Sequence, residues 1–347
     1  MSGGKKKFVN LALQGGGAHG AFAWGVIDKL LEDGRLALDG ICATSAGSMN
    51  AITLVNGLIK DGADGARQSM YDFWFEVSRR SGQNTNLTNN PLHLKAKHMA
   101  FDFMDSMTHL ISPYQSNPMN HNILRDILEE QIDFERIKRN KDYTLFLTAT
   151  KVQSGRVKVF TNKDMTVDTV LASACLPYLF QAVKVGDHYY WDGGYSGNPA
   201  IFPLFYKEGG KTNDVIIIHI NPIKRSKLPT QAGEIMNRIN EITFNSSLLK
   251  EFRAIAFVNK LLDEGWIKDE HKDKLKPIFV HSVRADEALQ SFDVATKMDT
   301  EWEFLKFLRD LGRTEGERWL RYTYECINKK SSVDLQTSFL HDDGKIG

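Results

Sequence analysis

Apolar and polar positions in the first sixty residues fall into two repeated kinds of block. Residues 8–13 and 40–43 are short and almost wholly apolar, the pattern of strands buried on both faces. Each run is cut off by small residues: Gln14-Gly15-Gly16-Gly17-Ala18-His19-Gly20 in the first case, Thr44-Ser45-Ala46-Gly47-Ser48 in the second. Apolar residues at helical spacing follow each cut. Ala21, Trp24, Ile27, Leu30 and Leu31 predict one helix that stops at Gly34, and Met49, Ala51, Ile52, Leu54 and Val55 predict a second, largely buried one. Two successive strand-turn-helix units with short connections predict a parallel sheet flanked by helices.

Further strands are expected at residues 143–149, 156–161, 188–191 and 215–220, the last a continuous β-branched run. Between residues 68 and 130 the pattern changes to helices and polar turns. Tyr71, Phe73, Trp74 and Phe75 cluster there, and Met99, Phe103, Met107, Leu110 and Ile111 form a second apolar stripe. From residue 226 the chain reads as mainly helical, apart from a short apolar run at 278–283, and 331–347 reads as a frayed tail. No repeat or low-complexity linker divides it. The simplest division is one domain over 8–225 with a helical insertion at 68–130, a helical extension at 226–330 and the tail.

Composition narrows the class. The 347 residues are 42% hydrophobic and 25% charged, with 44 basic against 43 acidic side chains, so no global field selects nucleic acid or anionic lipid. Cys42, Cys175 and Cys326 are odd in number and lack metal-ligand spacing, which favours a reducing compartment. Lys5-Lys6-Lys7 and the apolar run after it imitate a signal peptide, but the run is too short, contains Asn10 and ends in a glycine turn. No run reaches the roughly 20 apolar residues of a membrane-spanning helix. The cytosol is the default location, with peripheral membrane contact and export by a dedicated secretion machine left open. No acidic cluster has the spacing of a calcium loop, and no metal or other cofactor is expected.

The two turns carry the candidate chemistry. A strand turned sharply into a helix exposes backbone N–H groups and sets one side chain at its crest, and at the second turn that side chain is the Ser45 hydroxyl. A nucleophile elbow written G-x-S-x-G would have glycine where this chain has Ala43, and on its own Ser45 reads equally well as a plain helix cap. Downstream, Tyr189-Tyr190-Trp191-Asp192-Gly193-Gly194 sets an aspartate at the end of an aromatic strand; alone, Asp-Gly is an ordinary turn. Taken together and in this order, the three elements resemble the patatin-like phospholipase family. The resemblance spans about residues 8–225 and includes the small-residue segment Ala172-Ser173-Ala174-Cys175-Leu176-Pro177. It implies a three-layer α/β sandwich with a mostly parallel central sheet. It further implies a Ser45 nucleophile, Asp192 as its base, and an oxyanion hole from the amides of Gly15, Gly16 and Gly17. Lipid or other acyl esters are the implied substrates. His19 stands where that family often has arginine or lysine, and is expected to support the site or to pack against a neighbour; Ala46, next to Ser45, is the second supporting position.

Other readings compete. Gly15-x-Gly17-x-x-Gly20 also matches a dinucleotide fingerprint, but Asp39, the acidic residue at about the right spacing, precedes the second apolar run instead of ending it, so no dinucleotide is expected. A non-catalytic membrane- or protein-binding module on the same fold would have no use for a strained serine. Acyl transfer or polyester hydrolysis would use the same residues on another substrate. A Ser-Asp-His triad would draw on His219, His271, His281 or His341, of which His219 sits in a strand-like run and reads as core. The stripe at Met99, Phe103 and Met107, with Phe101, Met104 and Leu110 and the basic flank Lys95, Lys97 and His98, reads as a lid over residues 95–111 or as ordinary core.

Overall fold

The computed structural model describes residues 6–81, 111–206, 209–225, 227–268, 275–290, 292 and 295–340. Strand β1 (Lys7–Leu13) leads into helix α1 (Gly20–Asp33), and β2 (Leu36–Ala43) into α2 (Ala46–Arg80), as the two apolar blocks predict. β2 starts earlier than the pattern indicates because Asp39, which reads as a boundary, is a buried strand residue whose carboxylate accepts the Lys211 N–H at 2.8 Å. A buried carboxylate with such a partner need not end a strand. α2 is broken at Asp61 and Gly62, where the backbone leaves the helical region and Gly62 takes φ 64°. The aromatic cluster lies on its second half: Phe73 and Trp74 face inward, while Tyr71 and Phe75 stack against each other and meet Trp302 edge-on. The stripe at 99–110 and its basic flank lie outside the described residues.

Among the described residues, eight strands form one sheet. β3 (Thr144–Lys151), β2, β1, β7 (Asp214–Ile218) and β8 (Phe279–Val283) are mutually parallel; β4 (Val157–Thr161) and β6 (His188–Asp192) run antiparallel to β3, and β5 (Val183–Val185) pairs with β6 at the edge. β5 has no sequence signal, being three residues long with Lys184 at its centre. The apolar run at 278–283 becomes β8, so the region after residue 226 contributes a strand to the central sheet.

The strand period of two explains the layering. Leu11, Leu13, Ile41, Ala43, Ile216 and Ile218 point to one core with Phe22, Trp24 and Phe73. The intervening Ala12, Cys42, Val215 and Ile217 point to the other face, where Leu248 and Phe252 of helix α3 (Ala232–Asp263) cover them. Both faces are apolar and helix-covered, which is the three-layer sandwich. Leu335 and Phe339 join the second core, so the stretch 331–340, read from its polar composition as tail, packs against the sheet; residues 341–347 lie outside the described residues. No described helix is long and apolar enough to cross a membrane.

Helix α4 (Trp302–Thr323) crosses α1 so closely that the backbones touch. A side chain at Gly25 would collide with the Arg309 carbonyl, and one at Gly312 with the Phe22 carbonyl. Arg313 reaches past this contact to Asp28 and Glu32. Gly25→Ala should therefore cost about 1–3 kcal/mol of unfolding free energy in urea titration. Gly233→Ala, near the start of α3 with nothing within 4 Å, should leave stability unchanged or raise it by up to about 1 kcal/mol.

Candidate functional site

β1 and β2 are parallel neighbours, with Leu13 level with Ala43, so the two glycine-bracketed turns emerge side by side at the carboxyl edge of the sheet. The contact between them is direct. A Cβ on Gly15 would collide with the Ser45 side chain, and one on Gly47 with the Leu13 carbonyl. Glycine at both positions is what lets the turns close on each other.

Asp192 reaches the same edge by a different route. Ala43 is level with Leu147 of β3, and Ala149, two residues further along β3, is paired with Asp192 of β6. Register thus brings Asp192 level with the residue two beyond Ala43, which is Ser45.

Ser45 takes φ 56° and ψ −125°, a conformation that costs a non-glycine residue of order 1–3 kcal/mol. It is the N-cap residue of α2 but its side chain makes no capping hydrogen bond, so the plain-cap reading does not hold. Its amide is held instead: the Ser45 N–H donates to the Ser173 carbonyl at 3.2 Å and to Ser173 Oγ at 3.1 Å. Ser173 Oγ donates to the Thr148 carbonyl at 2.6 Å and accepts from Ser48 Oγ at 2.8 Å, which uses its one proton and both lone pairs. Below it, Thr44 Oγ1 bonds Thr148 Oγ1 and the Gly197 carbonyl. The elbow rests on buried hydroxyls that leave the Ser45 side chain nothing structural to do.

Asp192 is fully buried. Its N–H donates to the Cys175 carbonyl at 2.8 Å, its carbonyl accepts Thr150 Oγ1 at 2.8 Å, and Oδ1 accepts the Gly194 N–H at 2.7 Å. Burial pushes the carboxyl up to about 6, against the opposing pull of the Ser45 hydroxyl and the Gly194 N–H. The Ser45 hydroxyl is close enough to exert that pull, yet Oδ2 has no hydrogen-bond partner of regular geometry among the described residues. Loose hydroxyl-to-base contacts of this kind are common in sites without substrate.

The glycine turn is split in function by its side-chain partners. The Gly15 N–H is taken by Asn198 Oδ1 at 2.6 Å, and the Gly15 carbonyl accepts Asn221 Nδ2, also at 2.6 Å. Gln14, fully buried, braces the turn from below, accepting the N–H groups of Ile220 and Asn221 and donating to Asn245 Oδ1 and the Asn198 carbonyl. Among the described residues the N–H groups of Gly16, Gly17 and Ala46 have no hydrogen-bond acceptor. Asn198, Asn221 and Asn245 escape sequence reasoning; only Asn198 stands near a singled-out motif.

His19 lies behind the turn. Its Nε2 is 2.9 Å from Thr296 Oγ1, its ring sits against Phe292 and Phe304, and burial, assisted by Lys297 and Arg225, lowers its pKa to about 3. The ring is neutral over the physiological range and packs against its neighbours. His219 is enclosed by Phe252 and Phe339, with its pKa lowered to about 3 chiefly by burial. His281, midway along β8, bonds Asp214, the first residue of β7, at 2.9 Å, away from the carboxyl edge. His271 and His341 lie outside the described residues. Among the described residues no group of three or more His, Cys, Asp or Glu could hold a metal ion.

No curated protein sequence is significantly similar to the chain. Among solved structures, VipD from Legionella pneumophila aligns at 13% identity with a TM-score of 0.41, covering 90% of this chain and 66% of VipD. ExoU from the type III secretion system of Pseudomonas aeruginosa, solved with SpcU, aligns at 14% identity with a TM-score of 0.31, covering 91% of this chain and 53% of ExoU. The chain thus spans just under two thirds of the one and about half of the other. The family model of patatin-like phospholipases matches residues 11–205, more than half of the chain and all of the elbow, glycine turn and Asp192 segment. The chain belongs to the patatin-like phospholipase family.

Proposed function

We propose that this protein is a serine esterase that cleaves lipid acyl esters through a Ser45–Asp192 dyad. The observation that carries the reading is the conformation of Ser45. A serine held at φ 56° with no capping bond, facing a buried carboxylate, is a cost that folding alone does not explain.

In this reading Asp192 takes the Ser45 proton as Oγ attacks the ester carbonyl. The negative charge that develops on the carbonyl oxygen meets the N–H groups of Gly16, Gly17 and Ala46 and the positive end of α2. Gly15, its N–H already bound by Asn198, supports the hole without lining it. Asp192 then gives its proton to the leaving alkoxide, and water, activated by the same carboxylate, releases the acid and restores Ser45. Family membership supports phospholipids, lysophospholipids or acylglycerols as the substrate class. Substrate presented at a membrane surface would require only transient contact.

Ser45→Ala or Asp192→Ala should abolish ester cleavage and fluorophosphonate labelling, whereas His219→Ala should leave most of the activity. The opposite pattern would overturn the dyad, and loss of activity in all three variants would point to a triad instead.

The base must be ionised, so kcat/KM should rise with pH through about 6 and level off above it. A pH-rate profile without a limb near 6 would remove Asp192 from that role.

Stability should move against activity. A carboxyl whose folded pKa is raised from 3.8 to about 6 weakens the fold as pH rises through that window, by about 3 kcal/mol at most. Asp192→Asn should therefore melt higher than wild type at pH 8 while being inactive. Ser45→Gly should gain about 1 kcal/mol or more by relieving the positive φ, and Ser45→Ala should gain nothing from that source.

A further inference from the structure

Beneath the glycine turn a buried carboxylate gathers half-buried cations that the dyad does not use. Glu241 of α3 is fully buried and accepts Arg225 at 2.5 and 3.2 Å and Arg238 at 3.3 Å, with Lys297 Nζ at 3.8 Å. Three cations thus surround one carboxylate. All three are half-buried, and burial lowers the pKa of Lys297. Keeping an ammonium away from water is expensive unless it is paired and hydrogen-bonded, which invites the question of what holds it there.

Lys297 touches the turn in two ways. Its backbone carbonyl packs against Gly17, where a side chain would collide with it. Its ammonium donates to Asn237 Oδ1 at 3.2 Å and to Asn221 Oδ1 at 3.4 Å. The second bond fixes which way the Asn221 amide faces: with Oδ1 on the ammonium, Nδ2 is the end that donates to the Gly15 carbonyl at 2.6 Å. That carbonyl and the Gly16 N–H belong to one trans peptide unit and point in opposite directions. Pinning the carbonyl toward Asn221 therefore aims the Gly16 N–H away from it.

We propose that Asn221 and Lys297 are positioning residues for the oxyanion hole, Asn221 by clamping the Gly15–Gly16 peptide and Lys297 by holding Asn221 in the orientation that clamps it. Both lie beyond residues 11–205, so the region after the family-matched segment completes the site. Lys297 also places positive charge beside the turn, where the neutral His19 supplies none. The inference rests on the serine esterase reading.

The test uses the full chain and a soluble short-chain ester, with Ser45→Ala as control. Asn221→Asp keeps the size and the bond to Lys297 but cannot donate to Gly15; it should lower kcat about 10- to 100-fold with KM within about threefold. Lys297→Met should lower kcat about tenfold, and Lys297→Arg, which keeps the charge, should recover most of it. An active wild type, an inactive Ser45→Ala, and kcat within twofold of wild type for Asn221→Asp would overturn the positioning role while leaving the dyad standing. A kcat loss that tracks a melting-temperature loss and is equal in Lys297→Met and Lys297→Arg would overturn it as well, by showing a purely structural part. Where Lys297→Met does not fold, Asn221→Asp decides. A wild type that cleaves no ester would defeat the reading of the site and this inference with it.

Discussion

Two tight turns must occupy the same place at the end of two adjacent parallel strands, and the rest of the site follows from how they share it. β1 and β2 are hydrogen-bonded neighbours about 4.8 Å apart, too close for ordinary side chains on both turns. The conflict is resolved by removing Cβ atoms at Gly15 and Gly47 and by turning Ser45 into a conformation that suits glycine better. Once the turns are in backbone contact, the hydroxyl at one crest and the N–H groups of the other share one small volume. The same crowding makes the arrangement rigid, because the atoms that would have to move are main-chain atoms already bonded to the sheet.

Polar groups at this edge are buried, so each one left unpaired would be costly. The hydroxyls of Thr44, Thr148, Thr150, Ser48 and Ser173 bond backbone carbonyls or one another, and the amides of Gln14, Asn198, Asn221 and Asn245 do the same for the glycine turn. Against that background, Asp192 Oδ2 is conspicuous in having no hydrogen-bond partner of regular geometry among the described residues. A fully paired carboxylate would have its pKa drawn down by its donors and would be a poor base. Burial, opposed only by the Ser45 hydroxyl and the Gly194 N–H, holds the carboxyl up at about 6 at a cost in stability.

Legibility in the sequence followed the length scale of the interactions. Local patterns carried the two β-α units, the buried strand β7 and the order of elbow, glycine turn and Asp-Gly-Gly turn, because each depends on residues within a few positions of one another. β5 was invisible because three residues around a lysine have no period. Asp39 misled because a carboxylate within a strand reads as a boundary unless its partner, the distant Lys211 amide, is known. The division of labour inside the glycine turn could not be read at all: whether Gly15 or Gly16 has an unengaged N–H depends on Asn198 and Asn221, about two hundred residues away. The apolar residues Leu335 and Phe339 were too sparse, among polar neighbours, to reveal that they close the second core.

His19 shows how a substitution within the glycine turn is tied to residues far along the chain. An imidazole surrounded by Phe292 and Phe304 is driven neutral, so it contributes packing to the start of α1 but no charge. The cations near the turn arrive instead from Arg225, Arg238 and Lys297, and Lys297 and Arg225 are among the reasons His19 stays unprotonated. Neutral histidine and half-buried lysine are therefore mutually consistent: protonating the ring would set like charges together in a region of lowered dielectric. Replacing His19 by a cation without removing one from the cluster would raise that repulsion, so the glycine turn and the segment at 295–298 are constrained as one unit although nearly three hundred residues separate them.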